Sequence, residues 1–220
     1  MTKSSITQGK AEYSASDIRV LEGLEPVRKR PGMYIGSTDV HGLHHLVKEI
    51  MDNAVDEAIA GYAKQVHVYL TKDGYITVTD NGRGIPIEKH PSGPSALEVV
   101  MTKLHAGGKF DEQAYKASGG LHGVGASAVN ALSANMRVVV KRLKKYYFQE
   151  YAIGVPKAIV KEITVAQVVK MFPYQSKYFV TYQSGTLVNF LPDSTIFSTT
   201  TFDPDIIVEL IRDRAYLMAG

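Results

Sequence analysis

Cysteine is missing from all 220 residues, which excludes a disulfide framework and any thiolate metal site. No stretch approaches the roughly 20 consecutive apolar residues needed to cross a bilayer. The opening MTKSSITQGK lacks the apolar core of a signal peptide. The expectation is therefore a cytoplasmic protein with no membrane partner. An excess of one charge is also missing, since the net charge is only +3. The basic clusters Arg28-Lys29-Arg30 and Lys141-Arg142-Lys144-Lys145 read either as solvated faces or as weak, salt-dependent contacts to nucleic acid. There is no internal repeat and no low-complexity tract. Two phosphate-binding fingerprints are absent as well: the dinucleotide pattern G-x-G-x-x-G and the Lys-Ser/Thr of a Walker A loop. What remains is a chain of ordinary composition, 45% hydrophobic and 21% charged, long enough to bury a sizeable core.

Periodicity divides the chain. Residues 1–16 are small and polar and read as a flexible arm. A helical pattern runs from Asp17 to Pro26, followed by a turn-rich loop around Pro31-Gly32 and Gly36. The clearest helix spans 42–61, with Leu43, Leu46, Val47, Ile50, Met51, Ala54, Val55 and Ala58 on one face and Gly61 at its end. VHVYL (66–70) and YITVTD (75–80) alternate like strands around Asp73-Gly74, a hairpin signal. A helix is expected at 95–104, a glycine-punctuated loop at 105–120 and a helix at 125–133. Strands follow at 136–143, 146–153 and 185–192. Between them, 155–184 reads as strand, short helix, strand. Asp203 is the expected cap of a last helix with Pro204 at its first position. Mixed helices and antiparallel-looking strands predict an α/β sandwich of two layers, with helices on one face of a mixed, largely antiparallel sheet.

Three constellations carry candidate chemistry. Glu49, Asn53 and Asp56 are spaced i, i+4, i+7 on the helix at 42–61 and form one stripe roughly opposite its apolar face. The plain reading is a solvated helix side. The chemical reading is a carboxylate that activates water beside an amide oxygen that holds magnesium, whose shell is otherwise filled by water and substrate phosphates. DNGRGIP (80–86) follows a strand directly. It reads either as a turn or as a nucleobase pocket. In the second reading Asp80 accepts a hydrogen bond from the exocyclic amine of adenine, and Gly82 and Gly84 let the backbone approach the base. Arg83 either stacks on the ring edge or pairs with Glu57. The third constellation is SGGLHGVGASAVNALS (118–133), where glycines run straight into a helix start. Backbone N–H groups there attract anions, while HAGGKF (105–110) adds a second glycine pair and Lys109. The glycines read as a hinge for a lid and a cradle for phosphates.

The order of these motifs, with VLEGLEPVRKRPGMYIGSTD (20–39), GLHHLVKEIMDNAVDEAIAGY (42–62), LHAGGKF (104–110) and YKASGGLHGVGASAVNALS (115–133), resembles the GHKL ATPase superfamily. Within it, the sequence is similar to the B subunit of bacterial type IIA topoisomerases. FLPDSTIFSTTTFD (190–203) resembles the topoisomerase IV form somewhat more than gyrase. The resemblance implies a Bergerat-type fold over residues 17–220, with ATP and magnesium as cofactors. By the same resemblance Glu49 matches the general base and Asn53 the magnesium ligand. Asp80 matches the adenine-reading carboxylate, and Arg83, Gly84, Ile85 and Pro86 the wall of the base pocket. Lys109 with Gly119, Gly120, Leu121, His122, Gly123, Val124 and Gly125 matches the lid and phosphate loop. Arg142 and Thr186 match positions bordering the pocket, where competitive antibiotics of the family also bind. Tyr13 and Ile18 match an arm that reaches the partner subunit's ATP site, which implies an ATP-dependent homodimer.

Two departures from the family pattern stand out. ITVAQVVKMFPYQSKYFVTYQ (163–183) does not align, and the expectation is a surface insertion away from the pocket. The family also continues into a transducer domain with a lysine for the terminal phosphate. The resemblance thus implies an isolated ATPase fragment of an enzyme that acts with an A-type subunit on double-stranded DNA. The alternative is a nucleotide-binding and dimerisation module with negligible hydrolysis of its own.

Overall fold

Strand alternation builds the centre of the molecule. The computed structural model describes residues 21–104, 106 and 125–218. Its strands are β1 (Val66–Leu70), β2 (Ile76–Asp80), β3 (Ser133–Arg142), β4 (Lys145–Ala152), β5 (Val155–Pro156), β6 (Lys161–Ile163) and β7 (Gly185–Pro192). They form one sheet in the order β1-β2-β7-β3-β4-β5, with β6 also paired to β4. Every pairing is antiparallel. Side chains alternate between the two faces. One face presents Ile76, Val78, Met136, Val138, Val140, Val188 and Phe190 to the main core, and the other presents Val139, Phe148 and Leu187 to a second cluster.

The helices that cover the main face are set by local chemistry. They comprise α1 (Glu25–Lys29), α2 (Gly32–Ile35), α3 (Val40–Ile59), α4 (Ala96–Thr102), α5 (Gly125–Ala131) and, packed on α3, α8 (Pro204–Met218). Helix α3 starts two residues earlier than its apolar periodicity predicts, because Asp39 caps it. The Asp39 carboxylate accepts from the N–H groups of His41 (2.9 Å) and Gly42 (3.3 Å) and from Ser37 Oγ (2.6 Å). The Ser37 hydroxyl, before any other contact, holds that carboxyl below its usual range. The cap brings the Ser37 carbonyl so close to residue 42 that a Cβ there would overlap it, so glycine is required. Gly61, at φ +82°, ends the helix region.

Helix α8 is capped as expected, with the Asp205 N–H donating to Asp203 Oδ1 at 2.9 Å. His44 ties its start to α3. Nε2 accepts from the Asp203 N–H at 2.9 Å, which leaves the Nδ1 hydrogen to donate to the Val40 carbonyl at 2.7 Å. Further along, buried Arg214 meets Asp52 at 2.7 Å, and Lys48 takes the other oxygen of that carboxylate at 2.8 Å.

The structure differs from the sequence expectations in three segments, the first being Gly32–Ile35, which forms α2 where a turn-rich loop is expected. Residues 21–24 are not helical, and Pro26 stands in the first turn of α1 rather than at the end of an earlier helix. A missing N–H costs nothing there. Residues 155–184 contain β5, β6, α6 (Val165–Met171) and α7 (Ser176–Phe179), so the expected last strand is a helical turn. Tyr178-Phe-Val-Thr-Tyr182 has strand-like composition, but across 176–182 the buried positions are Ser176, Phe179 and Tyr182, three apart. A Thr164–Gln167 capping box starts α6. The segment covers the second sheet face, burying Ile163, Val168, Phe172, Phe179 and Tyr182 against Val139, Tyr146, Phe148 and Leu187. Beside this cover lies a cleft of about 230 Å³, lined by Tyr75, Arg137, Phe172 and Asn189 among others. The segment is therefore a second core and not loose surface. Phe179→Ala is expected to lower the unfolding free energy by about 3 kcal/mol or more, measured by urea denaturation. A loss under about 1 kcal/mol would show that this cluster does not behave as a core.

Candidate functional site

The site begins where β2 ends. Asp80 shares the face of Ile76 and Val78, four and two residues before it, and stands in register with Thr186 at the start of β7. Its side chain is buried, 7% exposed. Burial pushes the carboxyl up to about 7; the N–H groups of Gly82 and Thr186 oppose the shift and the Glu57 charge adds to it. The Gly82 N–H donates to Asp80 Oδ1 at 2.8 Å. A Cβ on Gly82 would lie 2.9 Å from both that oxygen and Glu57 Cβ, so no side chain fits.

The loop after Asp80 is fastened at four points. Asn81 Oδ1 accepts from the N–H groups of Lys64 (2.7 Å) and Gln65 (2.9 Å). Arg83 pairs with Glu57 of α3 through Nε (3.0 Å) and Nη2 (2.7 Å), and its guanidinium sits 3.9 Å from the centre of the Tyr62 ring. Of the two roles open to Arg83 from sequence, the structure shows the pairing with Glu57. Arg142 at the end of β3 donates to the Gly84 carbonyl at 2.9 Å. Ser184 Oγ donates to the Gly82 carbonyl at 2.6 Å. Gly84, at φ +73°, lies against the β3 backbone, where a Cβ would be 2.9 Å from the Lys141 carbonyl. Ile85 packs on the main core, and Pro86 is exposed.

The acidic stripe of α3 is not a solvated helix side. Asp56 is only 1% exposed, and Glu49 and Asn53 are half-buried. The face that periodicity marks as polar is closed off by the β2 loop at one end and by α5 at the other. Glu49 lies 2.9 Å from His45 Nε2, one turn earlier. A Cβ on Gly125 would overlap Glu49 Oε2, so the first residue of α5 rests directly against this carboxylate. Glu49 and Glu57 are separated by about 12 Å along the axis at 1.5 Å per residue. The helix thus has the loop after Asp80 against one end of the stripe and Gly125 against Glu49 at the other. Among the described residues there is no group of three or more His, Cys, Asp or Glu that would cage a metal. A single amide oxygen on Asn53 suits magnesium only if phosphates and water supply the rest of its shell.

Asp80, Arg83, Gly84, Ile85, Arg142 and Thr186 are grouped around the loop after β2, while Glu49, Asn53 and Gly125 lie nearer the start of α3. Tyr13, Lys109, Gly119, Gly120, Leu121, His122, Gly123 and Val124 lie outside the described residues. The sequence reading overlooked His45, although the i, i+4 spacing to Glu49 signals it. It also overlooked Ser184, for which no local signal exists, because its partner is 102 residues away.

A buried carboxylate at a strand end, a glycine-rich loop folded over the sheet and a glutamate facing a glycine at a helix start define a nucleotide-binding class of fold. The family of histidine kinase-, DNA gyrase B- and HSP90-like ATPases matches residues 38–177, and the chain belongs to it. It is 54% identical over 211 residues to the B subunit of DNA topoisomerase 4 from Bartonella bacilliformis, covering 94% of this chain and 28% of that protein. It is equally 54% identical over 210 residues to the B subunit of DNA gyrase from Thermotoga maritima, covering 95% of this chain and 31% of that protein. The corresponding gyrase protein of Archaeoglobus fulgidus is 52% identical over 215 residues, 97% of this chain and 32% of that protein. The chain thus spans less than a third of the length of these relatives, and identity does not separate gyrase from topoisomerase 4.

The Asp80 carboxyl has a direct consequence for stability. Its folded value of about 7 lies above the ordinary 3.8, so folding favours the neutral form. That contribution is complete below about pH 4 and is lost as pH rises through about 7. The unfolding free energy of the parent is expected to decline between those pH values relative to Asp80→Asn. Parallel urea titrations from pH 4 to 8 check this, and parallel curves would show that the carboxyl is not perturbed.

Proposed function

We propose that this chain is the ATP-binding and ATP-hydrolysing module of the B subunit of a type IIA DNA topoisomerase, gyrase or topoisomerase IV. One observation carries the reading: helix α3 links the loop of a buried carboxylate, Asp80, which meets no cation among the described residues, to a glutamate lodged against Gly125. A cleft with those two ends suits an extended nucleoside triphosphate, base at one end and terminal phosphate at the other.

At the base end, Asp80 accepts a hydrogen bond from the exocyclic amine of adenine. Gly84, Ile85 and Pro86 line that end, and Arg83, Arg142 and Thr186 border it. At the phosphate end, Lys109 and the run Gly119–Gly125 contribute charge and backbone N–H groups. Asn53 would hold magnesium, which when bound neutralises phosphate charge as the terminal group leaves. Glu49 takes a proton from the attacking water as the water oxygen bonds to the terminal phosphorus and the bond to the bridging oxygen breaks, giving ADP and phosphate. His45, 2.9 Å away, orients the carboxylate.

In the complete enzyme, ATP would close a homodimeric clamp through the arm bearing Tyr13, with an A-type subunit and duplex DNA as further partners. The same pocket would admit competitive small-molecule inhibitors. A cytoplasmic location accords with the fact that no helix among the described residues is long and apolar enough to cross a membrane. Because the chain covers under a third of its relatives, a second reading is a binding and dimerisation module that hydrolyses ATP only with the rest of the protein.

Glu49→Ala in the complete protein is expected to cut phosphate release by roughly 10²-fold or more while retaining ATP binding. Turnover at the parent rate would remove Glu49 from the chemistry. Asp80→Asn presents a donor to the adenine amine, and calorimetry should show at least about a tenfold loss of ATP affinity. In the parent, affinity should weaken as pH falls through about 7, because protonation removes the charge and turns one carboxylate oxygen into a donor.

A further inference from the structure

The four fastenings of the loop after Asp80 are not equivalent. Asn81, Arg83 and Arg142 hold the loop's beginning, its outer side chain and its far end. The peptide plane between Gly82 and Arg83 is gripped at both ends by side chains. Its carbonyl accepts from Ser184 Oγ at 2.6 Å, and its N–H donates to Glu57 Oε2 at 3.0 Å. Gly82 has no side chain and no room for one, so hydrogen bonds set its backbone direction. The other peptide of the same residue carries the N–H that donates to Asp80. Ser184 also lies two residues before Thr186, whose N–H favours the same carboxylate. It therefore stands at the junction between β7 and the loop that orients Asp80.

We propose that Ser184 is a positioning residue for base recognition: its hydroxyl fixes Gly82, and Gly82 in turn holds the Asp80 carboxylate in its binding orientation. The inference rests on the reading of this cleft as an adenine-nucleotide pocket. Ser184 does not touch the base and acts through the Gly82 backbone. The size of the effect is that of one neutral hydrogen bond, roughly three- to tenfold in affinity.

The test is calorimetric titration of the chain with a non-hydrolysable ATP analogue, together with ¹³C NMR titration of the Asp80 carboxyl. Ser184→Ala should bind roughly three- to tenfold more weakly. Ser184→Thr, which keeps the hydroxyl, should bind as the parent does. Ser184→Val, isosteric with threonine, should weaken like the alanine variant. The Asp80 midpoint should rise above its parent value of about 7 in the alanine and valine variants and not in the threonine variant. Parent-like affinity in Ser184→Ala, equal losses in Ser184→Thr and Ser184→Val, or an unmoved Asp80 midpoint would each overturn the proposal. Asp80→Asn serves as the control. If it binds the analogue as the parent does, the pocket reading itself fails; if it loses binding while Ser184→Ala does not, only the positioning role fails.

Discussion

The antiparallel pairing of β2 with β7 is the constraint on which the site depends. In the observed register Asp80 faces Thr186 and both point into the helix-covered side. The backbones approach so closely that a Cβ on Gly185 would overlap the Asp80 carbonyl. A slip of one residue would exchange the faces. Asp80 would then enter the layer now filled by Thr79, Leu187 and Val139, and Thr79 would take its place in the cleft. The apolar pairs Ile76–Phe190 and Val78–Val188 oppose that slip, because each would lose its place in the main core.

Charge is partitioned around this register. Two arginines stand near Asp80, and neither is spent on it. Arg83 is occupied by Glu57 and stacked on Tyr62, and Arg142 is bonded to the Gly84 carbonyl. Among the described residues Asp80 is left with backbone N–H dipoles, too little to cancel its desolvation, and its carboxyl is pushed up to about 7. A carboxylate without a cation is free to meet a neutral donor on a ligand. The same arginines fasten the loop after Asp80 to α3 and β3.

Much of the fold was readable from periodicity. The strands at 66–70 and 185–192 have their expected bounds, and the helices at 40–59 and 204–218 follow their apolar spacing and capping residues. These features are local, and their causes lie within a few residues. The segment 155–184 was less readable because composition and spacing disagree there. Tyr178 to Tyr182 looks like a strand by residue type, yet its burial every third residue fits a turn of helix against a sheet face. The Glu49–Asn53–Asp56 stripe misleads in a related way. A polar face reads as solvated, and nothing near it in sequence reveals that Gly125 and the loop after Asp80 close over it.

The sequence by itself determined most of the elements, the Asp203 cap of the last helix, the glycine positions and the order of motifs that marks the ATPase family, because each depends on backbone preference or spacing within one segment. Tertiary structure alone decided that Asp56 is buried, that Arg83 belongs to Glu57, that the segment after β6 builds a second core, and that Ser184 reaches Gly82. Those outcomes depend on strand register and on contacts between residues far apart in the chain. No local pattern encodes such contacts, because the partner's identity and distance appear only once the sheet has closed.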